Sequence, residues 1–216
     1  MKCVGILGGM GPEATVELMA RVIRATPASD DADHVPLLVD QNPQVPSRIA
    51  RLIEGRGEDP LPVLIRMAQR LQAAGAEALA MPCNTAHHYA AGVAAAVDIP
   101  FLNMLEAAEA RLAPGAVGLL ASPAVRLAGV FDAVLAGREV WHPPEDQALG
   151  LIRQIKSEGA TDAAREAFAE MIALAPVPQV LVACTEFSLV APQGRDTVVD
   201  ALDALVDQIV RFAQSG

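Results

Sequence analysis

Short, continuous apolar runs alternate with longer amphipathic stretches along nearly the whole chain. Apolar runs of this length are typical of strands buried on both faces, and the amphipathic stretches have the spacing of crossover helices. The alternation therefore predicts an α/β fold in which helices join parallel strands. The predicted strands are 3–7, 35–40, 78–81, 99–102, 116–120, 139–141 and 180–183, and the predicted helices are 14–25, 62–74, 85–97, 105–112, 123–135, 145–158, 163–174 and 198–213.

The two halves of the chain repeat two features in the same order. Residues 4–7 (VGIL) and 117–120 (VGLL) are each followed by a turn of small residues and a predicted helix. Later in each half, an apolar strand ends at a cysteine with a threonine just beyond it, Cys83 in the first half and Cys184 in the second. We therefore expect two related lobes. Ligands of open parallel sheets bind at the carboxyl ends of strands, so both cysteines are expected to face one cleft.

The composition disfavours several classes of protein. The 216 residues include 16 basic and 26 acidic side chains, and the formal charge of -10 argues against binding to nucleic acid or to an anionic membrane surface. No apolar stretch approaches the roughly 18 to 20 residues that cross a bilayer, and the N-terminus does not resemble a signal peptide. Three cysteines are too few, and odd in number, for a disulfide framework. We expect a cytoplasmic protein with reduced thiols.

The three cysteines have different sequence contexts. Cys3 lies within the first predicted strand and is expected to be a small apolar core residue. Cys83 and Cys184 each follow a strand at the start of a predicted helix, where the helix dipole favours the thiolate. Two cysteines in repeated contexts indicate a functional pair. A metal site is disfavoured, because neither has a C-x-x-C partner and His87 and His88 are adjacent in sequence.

Polar residues near the two cysteines are candidate ligands for a small anion. Asn84, Thr85 and Thr185 can form hydrogen bonds to such a group, although helix capping is an equally good explanation of each residue taken alone. Arg48 follows a turn-rich stretch, which places its guanidinium on a mobile loop. Lys156 ends a predicted helix, where it could simply complement the helix dipole.

The glycine-rich turn after the first strand allows a second interpretation. Residues 9–14 (GMGPEA) formally fit the dinucleotide fingerprint, which would make the chain an NAD-type nucleotide-binding protein. However, Asp40 lies 29 residues beyond Gly11, further than the roughly 20 expected of a ribose-binding acid. Pro12 also removes one N–H from the turn. The turn could instead be a tight connection with Pro12 at the first helical position, or its N–H groups could hold a carboxylate.

These motifs resemble those of the aspartate/glutamate racemase family, the cofactor-independent amino-acid racemases. The resemblance covers essentially the whole chain, and the two cysteine motifs in this order are its most specific part. The segments that carry it are residues 8–15 (GGMGPEAT), 42–48 (NPQVPSR), 83–87 (CNTAH), 155–156 (IK) and 183–186 (ACTE).

The resemblance implies two Rossmann-like lobes with parallel sheets, related by pseudo-twofold symmetry, with the active site in the cleft between them. We expect one lobe from residues 1–102 with a returning C-terminal helix at 197–216, and a second lobe from residues 103–196. The Thr197 or Asp196 side chain is expected to cap that last helix. A homodimer is also implied, with no cofactor and no metal.

The activity implied by the resemblance is racemisation of an acidic amino acid by two bases, with Cys83 and Cys184 as the acid/base pair. Arg48 and Lys156 match positions associated with the side-chain carboxylate of the substrate. Glu186 stands where glutamate racemases generally carry histidine, which favours aspartate as the substrate. The remaining expected substrate contacts are Met10, Gly11, Asn84, Thr85, Thr185 and Glu186 itself.

Two thiols suit this reaction, because one group must remove the Cα proton and another must deliver a proton to the opposite face. Two departures from the family pattern are residues 121–124 (ASPA), where a threonine-containing turn is common, and Phe187-Ser188, where Leu-Pro is common. Neither is expected to touch the cysteine pair. A maleate-isomerase-like or hydantoin-racemase-like enzyme of the same superfamily is the alternative, and a nucleotide-binding protein is the third hypothesis.

Overall fold

A computed structural model describes residues 1–192 and 194–215. Gln193 and Gly216, which fall within the predicted second and first lobes, lie outside the described residues. The first half contains β1 (Val4–Gly8), α1 (Pro12–Ala25), a 3₁₀ turn (Asp31–Asp33), β2 (Leu37–Gln41), α2 (Arg48–Leu52), α3 (Leu61–Ala73), β3 (Ala78–Ala80), a second 3₁₀ turn (Thr85–Tyr89), α4 (Ala90–Ala94), β4 (Phe101–Leu102) and α5 (Met104–Glu109). The second half contains β5 (Val117–Ala121), α6 (Pro123–Leu127), β6 (Val140–Trp141), α7 (Glu145–Glu158), α8 (Asp162–Ala173), β7 (Val180–Ala183), α9 (Thr185–Ser188), β8 (Val198–Asp200) and α10 (Ala201–Gln214).

The strands form two parallel four-stranded sheets with the same topology. Their orders are β2-β1-β3-β4 and β6-β5-β7-β8. In the first sheet β1 pairs with β3, and in the second β5 pairs with β7, all in parallel. The repeat seen in the sequence therefore corresponds to a repeat of the fold, and the prediction of two Rossmann-like sheets related by pseudo-twofold symmetry is confirmed.

The central core is shared by the two sheets. In α10, Leu205 and Ile209 are fully buried, and they belong to the same apolar cluster as Ile6 of β1, Leu105 of α5 and Leu181 of β7. Two further clusters lie on the outer faces of the sheets, one in each half. The C-terminal helix thus ties both halves together through burial of its apolar face. The lobe boundary at residues 102 and 103 stays a prediction.

The sequence-based assignment is wrong at the start of the last helix. The segment predicted as helical from residue 198 first forms β8, which pairs with β7. Helix α10 then begins at Ala201, capped by the Asp200 side chain rather than by Asp196 or Thr197. A three-residue apolar strand that runs directly into a helix leaves no change of pattern by which sequence can separate the two.

Three other segments differ from expectation. The helix predicted over 123–135 is helical only in α6, which ends at Leu127. Arg48 does not lie on a mobile loop but begins α2, where the Ser47 hydroxyl accepts a hydrogen bond from the Ala50 N–H and caps the helix. The single helix predicted over 85–97 is instead a 3₁₀ turn followed by the short α4. None of the helices within the described residues is long and apolar enough to cross a membrane.

Candidate active site

Cys83 and Cys184 occupy equivalent positions in the two halves. Cys83 follows β3 and Cys184 follows β7, each at the carboxyl end of the strand that pairs with the first strand of its sheet. Both residues are buried, with 6% and 5% of their surfaces exposed. Cys3, in contrast, lies just before β1 and is only half-buried, so it is not the core residue expected.

Cys184 is bonded directly to a carboxylate. Its Sγ donates a hydrogen bond to Glu186 Oε2 at 3.0 Å, and the Thr185 hydroxyl donates to the same oxygen at 3.4 Å. The other oxygen, Oε1, pairs with Lys156 Nζ at 3.2 Å. Four of the residues predicted for the site therefore form one hydrogen-bonded chain from the end of α7 to the start of α9.

Arg48 lies on the Cys83 side of the site. The two carbonyl oxygens of Val45 and Pro46 accept hydrogen bonds from its Nη1, at 3.3 and 3.1 Å. This anchorage fixes the guanidinium beside Cys83, where burial raises the pKa of the thiol and the positive charge of Arg48 partly offsets that rise. The negative charge of Glu186 also acts on Cys83 and raises its pKa, so the two cysteine motifs share one electrostatic environment.

Burial outweighs the helix dipole at both thiols. The sequence context predicts stabilised thiolates, but loss of solvent raises the pKa of Cys83 and, together with Glu186, raises that of Cys184 well above its usual value. The helices that follow are too short for their dipoles to reverse this effect, since each consists of at most five residues. The thiol form is therefore favoured at Cys184, and Cys83, next to Arg48, is the more readily ionised thiol.

Several buried polar atoms beside the cysteines have no partner. Asn84 Oδ1, Arg48 Nε and Tyr89 Oη lack a hydrogen bond within the described residues. Asn84 stands before the 3₁₀ turn, yet its side chain does not cap that turn, so the capping explanation fails for this residue. Buried polar atoms without partners are costly. They are expected where a polar ligand supplies the missing hydrogen bonds.

The glycine turn connects β1 to α1, and its Met10 belongs to the same apolar cluster as Cys83. Met10 is buried and Gly11 is exposed, at the end of β1 and the start of α1. Gly9 has a positive φ of 91°, and a Cβ there would lie 2.4 Å from the backbone of Asn42, so only glycine fits. Its N–H already donates to the Thr15 hydroxyl at 2.9 Å and is not available to a carboxylate.

The residues that a nucleotide site would require make other interactions. Asp40, the candidate ribose ligand, pairs with Arg70 at 2.5 Å. Pro12 is the first residue of α1, as the tight-turn explanation requires. The glycine turn is thus explained by the close approach of β1, β2 and α1 without a dinucleotide.

A buried polar network behind Cys184 was not found by sequence reasoning. Arg21 of α1 forms ion pairs with Asp200 and Asp203, both at 2.7 Å, and donates to the Ser188 carbonyl. The Cys184 carbonyl oxygen accepts a hydrogen bond from the Ser188 N–H at 3.1 Å, and the Ser188 hydroxyl lies 3.3 Å from the same oxygen. The expectation that the Phe187-Ser188 departure would not touch the cysteine pair is therefore wrong. An arginine within a helical pattern carries no sequence signal of burial, because its usual place is at the surface.

Comparison with known proteins shows the family of the chain. A sequence profile described as Asp/Glu/hydantoin racemase matches residues 7–209. The chain belongs to this racemase family. Within it, the chain is 26% identical to the broad specificity amino-acid racemase RacX of Bacillus subtilis (strain 168), over 96% of each protein.

Solved structures of the same family share the fold over almost the full chain. Picrophilus torridus aspartate racemase is 29% identical and superimposes with a TM-score of 0.86, covering 99% of this chain and 94% of the other. An aspartate racemase homologue from Pyrococcus horikoshii OT3 has a TM-score of 0.80 and covers 100% of both chains, with 24% identity. This racemase-family chain therefore has the two-lobed racemase architecture.

Proposed function

We propose that this protein racemises an acidic amino acid, with aspartate as the first candidate, through a thiol/thiolate pair formed by Cys83 and Cys184. The observation that carries the proposal is the position of these two thiols at equivalent strand ends, with a cation beside one and a carboxylate bonded to the other. The family, and relatives named as amino-acid and aspartate racemases, support the reaction.

In the proposed reaction, one cysteine is a thiolate and the other a thiol when the substrate binds. The Cys83 thiolate, favoured by Arg48, takes the Cα proton, while the Cys184 thiol gives its proton to the opposite face. The enzyme then holds a Cys83 thiol and a Cys184 thiolate, and the opposite enantiomer reacts by the reverse transfers. No proton is gained or lost over the conversion.

Positioned bases contribute about 10²- to 10⁴-fold to such a reaction, so further stabilisation of the developing negative charge is required. We assign the unpartnered Asn84 Oδ1 to the substrate ammonium and Arg48 to a carboxylate. Thr85 and Thr185, both half-buried beside the cysteines, are the next candidates for the α-carboxylate. The burial of both thiols keeps the reacting atoms away from bulk water.

The deciding experiment is incubation with L-aspartate in deuterated water, with Cα deuterium incorporation and loss of chirality measured together. We expect wild type to do both, Cys83→Ser and Cys184→Ser to lose racemisation, and Cys3→Ser, the matched control, to behave as wild type. Racemisation that survives in either of the first two variants would contradict the two-thiol mechanism. D-alanine and L-glutamate, tested alongside, distinguish an aspartate-preferring enzyme from a broad-specificity one.

Two alternatives are outcomes of the same experiment. Turnover of a hydantoin or of maleate, without deuterium exchange into any amino acid, would favour a different enzyme of the superfamily. The predicted homodimer and cytoplasmic location stay predictions, and light scattering of the purified protein measures the first of them.

A further inference from the structure

Each cysteine of the pair is followed, four residues later, by a side chain that bonds back to its carbonyl oxygen. His87 Nδ1 lies 2.8 Å from the Cys83 carbonyl oxygen, and Ser188 Oγ lies 3.3 Å from the Cys184 carbonyl oxygen, which also accepts the Ser188 N–H at 3.1 Å. His87 is 5% exposed and Ser188 is 3% exposed. The two halves thus repeat this contact with different residue types.

Both side chains are also anchored at equivalent places in the two sheets. The Met104 N–H, at the start of α5 after β4, donates to His87 Nε2 at 3.2 Å. Ser188 Oγ lies 2.8 Å from Asp200 Oδ1, at the junction of β8 and α10, so the single hydroxyl hydrogen of Ser188 is shared between this carboxylate and the Cys184 carbonyl oxygen. Strand β4 lies beside β3 and β8 lies beside β7, so each cysteine is tied to the helix that follows the neighbouring strand.

The partners of His87 define its tautomer. The Cys83 carbonyl only accepts, so Nδ1 carries the proton, and the Met104 N–H only donates, so Nε2 is bare. The ring is therefore neutral, in agreement with burial that lowers its pKa to about 4. In this form the imidazole is a rigid brace between the cysteine backbone and α5, and its ring packs edge-on against Phe101 at 5.8 Å between centroids.

We propose that His87 and Ser188 are the positioning residues of the two thiols, each fixing the backbone of one cysteine so that its Sγ meets the substrate Cα from its own face. The inference rests on the proposed two-thiol function. A misplacement of about 1 Å at a reacting group can cost about 10²-fold in rate, so fixing each cysteine carbonyl has direct consequences for proton transfer.

The test uses the two enantiomers of aspartate, with hydrogen or deuterium at Cα, and measures the primary isotope effect on kcat/KM in both directions. If Ser188→Ala slows proton transfer at Cys184 alone, removal of the labelled Cα proton by Cys184 becomes more rate-limiting, and the isotope effect rises for the enantiomer that Cys184 deprotonates. For the enantiomer that Cys83 deprotonates, the isotope effect falls, because the slowed step then delivers an unlabelled proton. His87→Ala should shift the ratio of the two isotope effects in the opposite sense. His87→Ala should lose about 10- to 100-fold in kcat/KM, and Ser188→Ala, in which the Ser188 N–H still bonds to the Cys184 carbonyl oxygen, should lose about 10-fold.

Conservative variants separate positioning from packing. His87→Asn places an amide N–H near the site of Nδ1 and keeps the bond to the Cys83 carbonyl, whereas His87→Gln keeps only an acceptor for the Met104 N–H. We therefore expect His87→Asn to restore the wild-type isotope ratio and His87→Gln to resemble His87→Ala. Ser188→Thr, which keeps the hydroxyl, should likewise retain the wild-type ratio.

A matched structural control is available at Thr26, the residue that follows α1. The Thr26 hydroxyl is buried and donates to the carbonyl of Val22, four residues earlier, at 2.6 Å. Thr26→Val removes the same kind of hydrogen bond away from the cysteines, so it should lower stability without moving the isotope ratio. If His87→Ala and Ser188→Ala leave the ratio unchanged, or move it in the same direction, the positioning roles are refuted.

A measurement independent of turnover keeps the two proposals apart. Alkylation of each cysteine by iodoacetamide, followed by mass spectrometry, should change at Cys83 alone in His87→Ala and at Cys184 alone in Ser188→Ala. If Cys83→Ser still racemises aspartate, the proposed function fails. If Cys83→Ser is inactive but neither alanine variant changes the alkylation rate of its own cysteine, the positioning inference fails.

Discussion

Cys184 and Glu186 are joined by a hydrogen bond of 3.0 Å from the thiol Sγ to the carboxylate Oε2. This contact gives the two thiols different surroundings, because Cys83 has the Arg48 cation as its neighbour instead. The halves of the site are therefore related by symmetry in fold but not in charge. This asymmetry favours the proton on Cys184.

Glu186→Gln should lower the pKa of the Cys184 thiol, because the like charge and the hydrogen bond that raise it are both weakened. We expect the pH at which iodoacetamide alkylates Cys184 at half its maximal rate to move downwards. The rate of aspartate racemisation should fall about 10²-fold, because the hydrogen bond that orients the Cys184 thiol is weakened and a misplacement of about 1 Å has a cost of this size. Glu145→Gln, which removes a carboxylate paired with Arg126 on the surface, is the control and should change neither quantity.

Arg48→Met should weaken binding of acidic substrates selectively. Hydrogen bonds to charged groups contribute about 1.5 to 3 kcal/mol, so KM for L-aspartate should rise by about 10- to 100-fold while KM for L-alanine changes little. Arg48→Lys should be intermediate, since it keeps the charge but not the planar guanidinium. Arg51→Met, on the exposed side of α2, is the control. An equal rise in KM for both substrates would show that Arg48 does not bind the side-chain carboxylate.

His87 should make the protein lose stability in mild acid. Its pKa falls from the usual 6.5 to about 4 in the native state, so the unfolded chain binds a proton first as the pH decreases. The contribution is fully present above pH 6.5 and is lost progressively down to pH 4, a decrease of about 3 kcal/mol. Urea unfolding at pH 7 and pH 4 measures it. The His87→Asn variant should lose less stability than wild type between pH 7 and pH 4. An equal loss in both proteins would show that protonation of His87 is not the cause.

Arg21→Met should destabilise the fold strongly, because it leaves Asp200 and the Ser188 carbonyl buried without their cation. Removal of one partner from a buried ion pair costs about 3 to 5 kcal/mol. Arg24→Met is the matched control, since Arg24 binds Glu17 as Arg21 does but its side chain is 63% exposed. Arg24→Met should lower the free energy of unfolding by no more than about 1 kcal/mol. Free energies of urea unfolding for the two variants, at one pH, test the difference.

Much of the fold is encoded locally. The apolar runs that become β1, β3, β5 and β7 are buried along their whole length, and this burial is the reason that they are visible as runs. Short elements were harder to predict: β8 merges with α10, and α2 lies in a stretch rich in turn residues. In both cases tertiary pairing or a single capping residue sets the boundary, and neither changes the hydrophobic period.

The sequence by itself determined the repeated halves, the two cysteines at equivalent strand ends and the polar residues beside them, because these depend on neighbours along the chain. Only the tertiary structure decided which charges surround each thiol and which side chains bond to the backbone of each cysteine. Arg21 reaches Ser188 and Asp200 from 167 and 179 residues away, and burial reverses the ionisation that the local helix dipole favours. Both effects depend on solvent exclusion by distant segments, which local sequence does not specify.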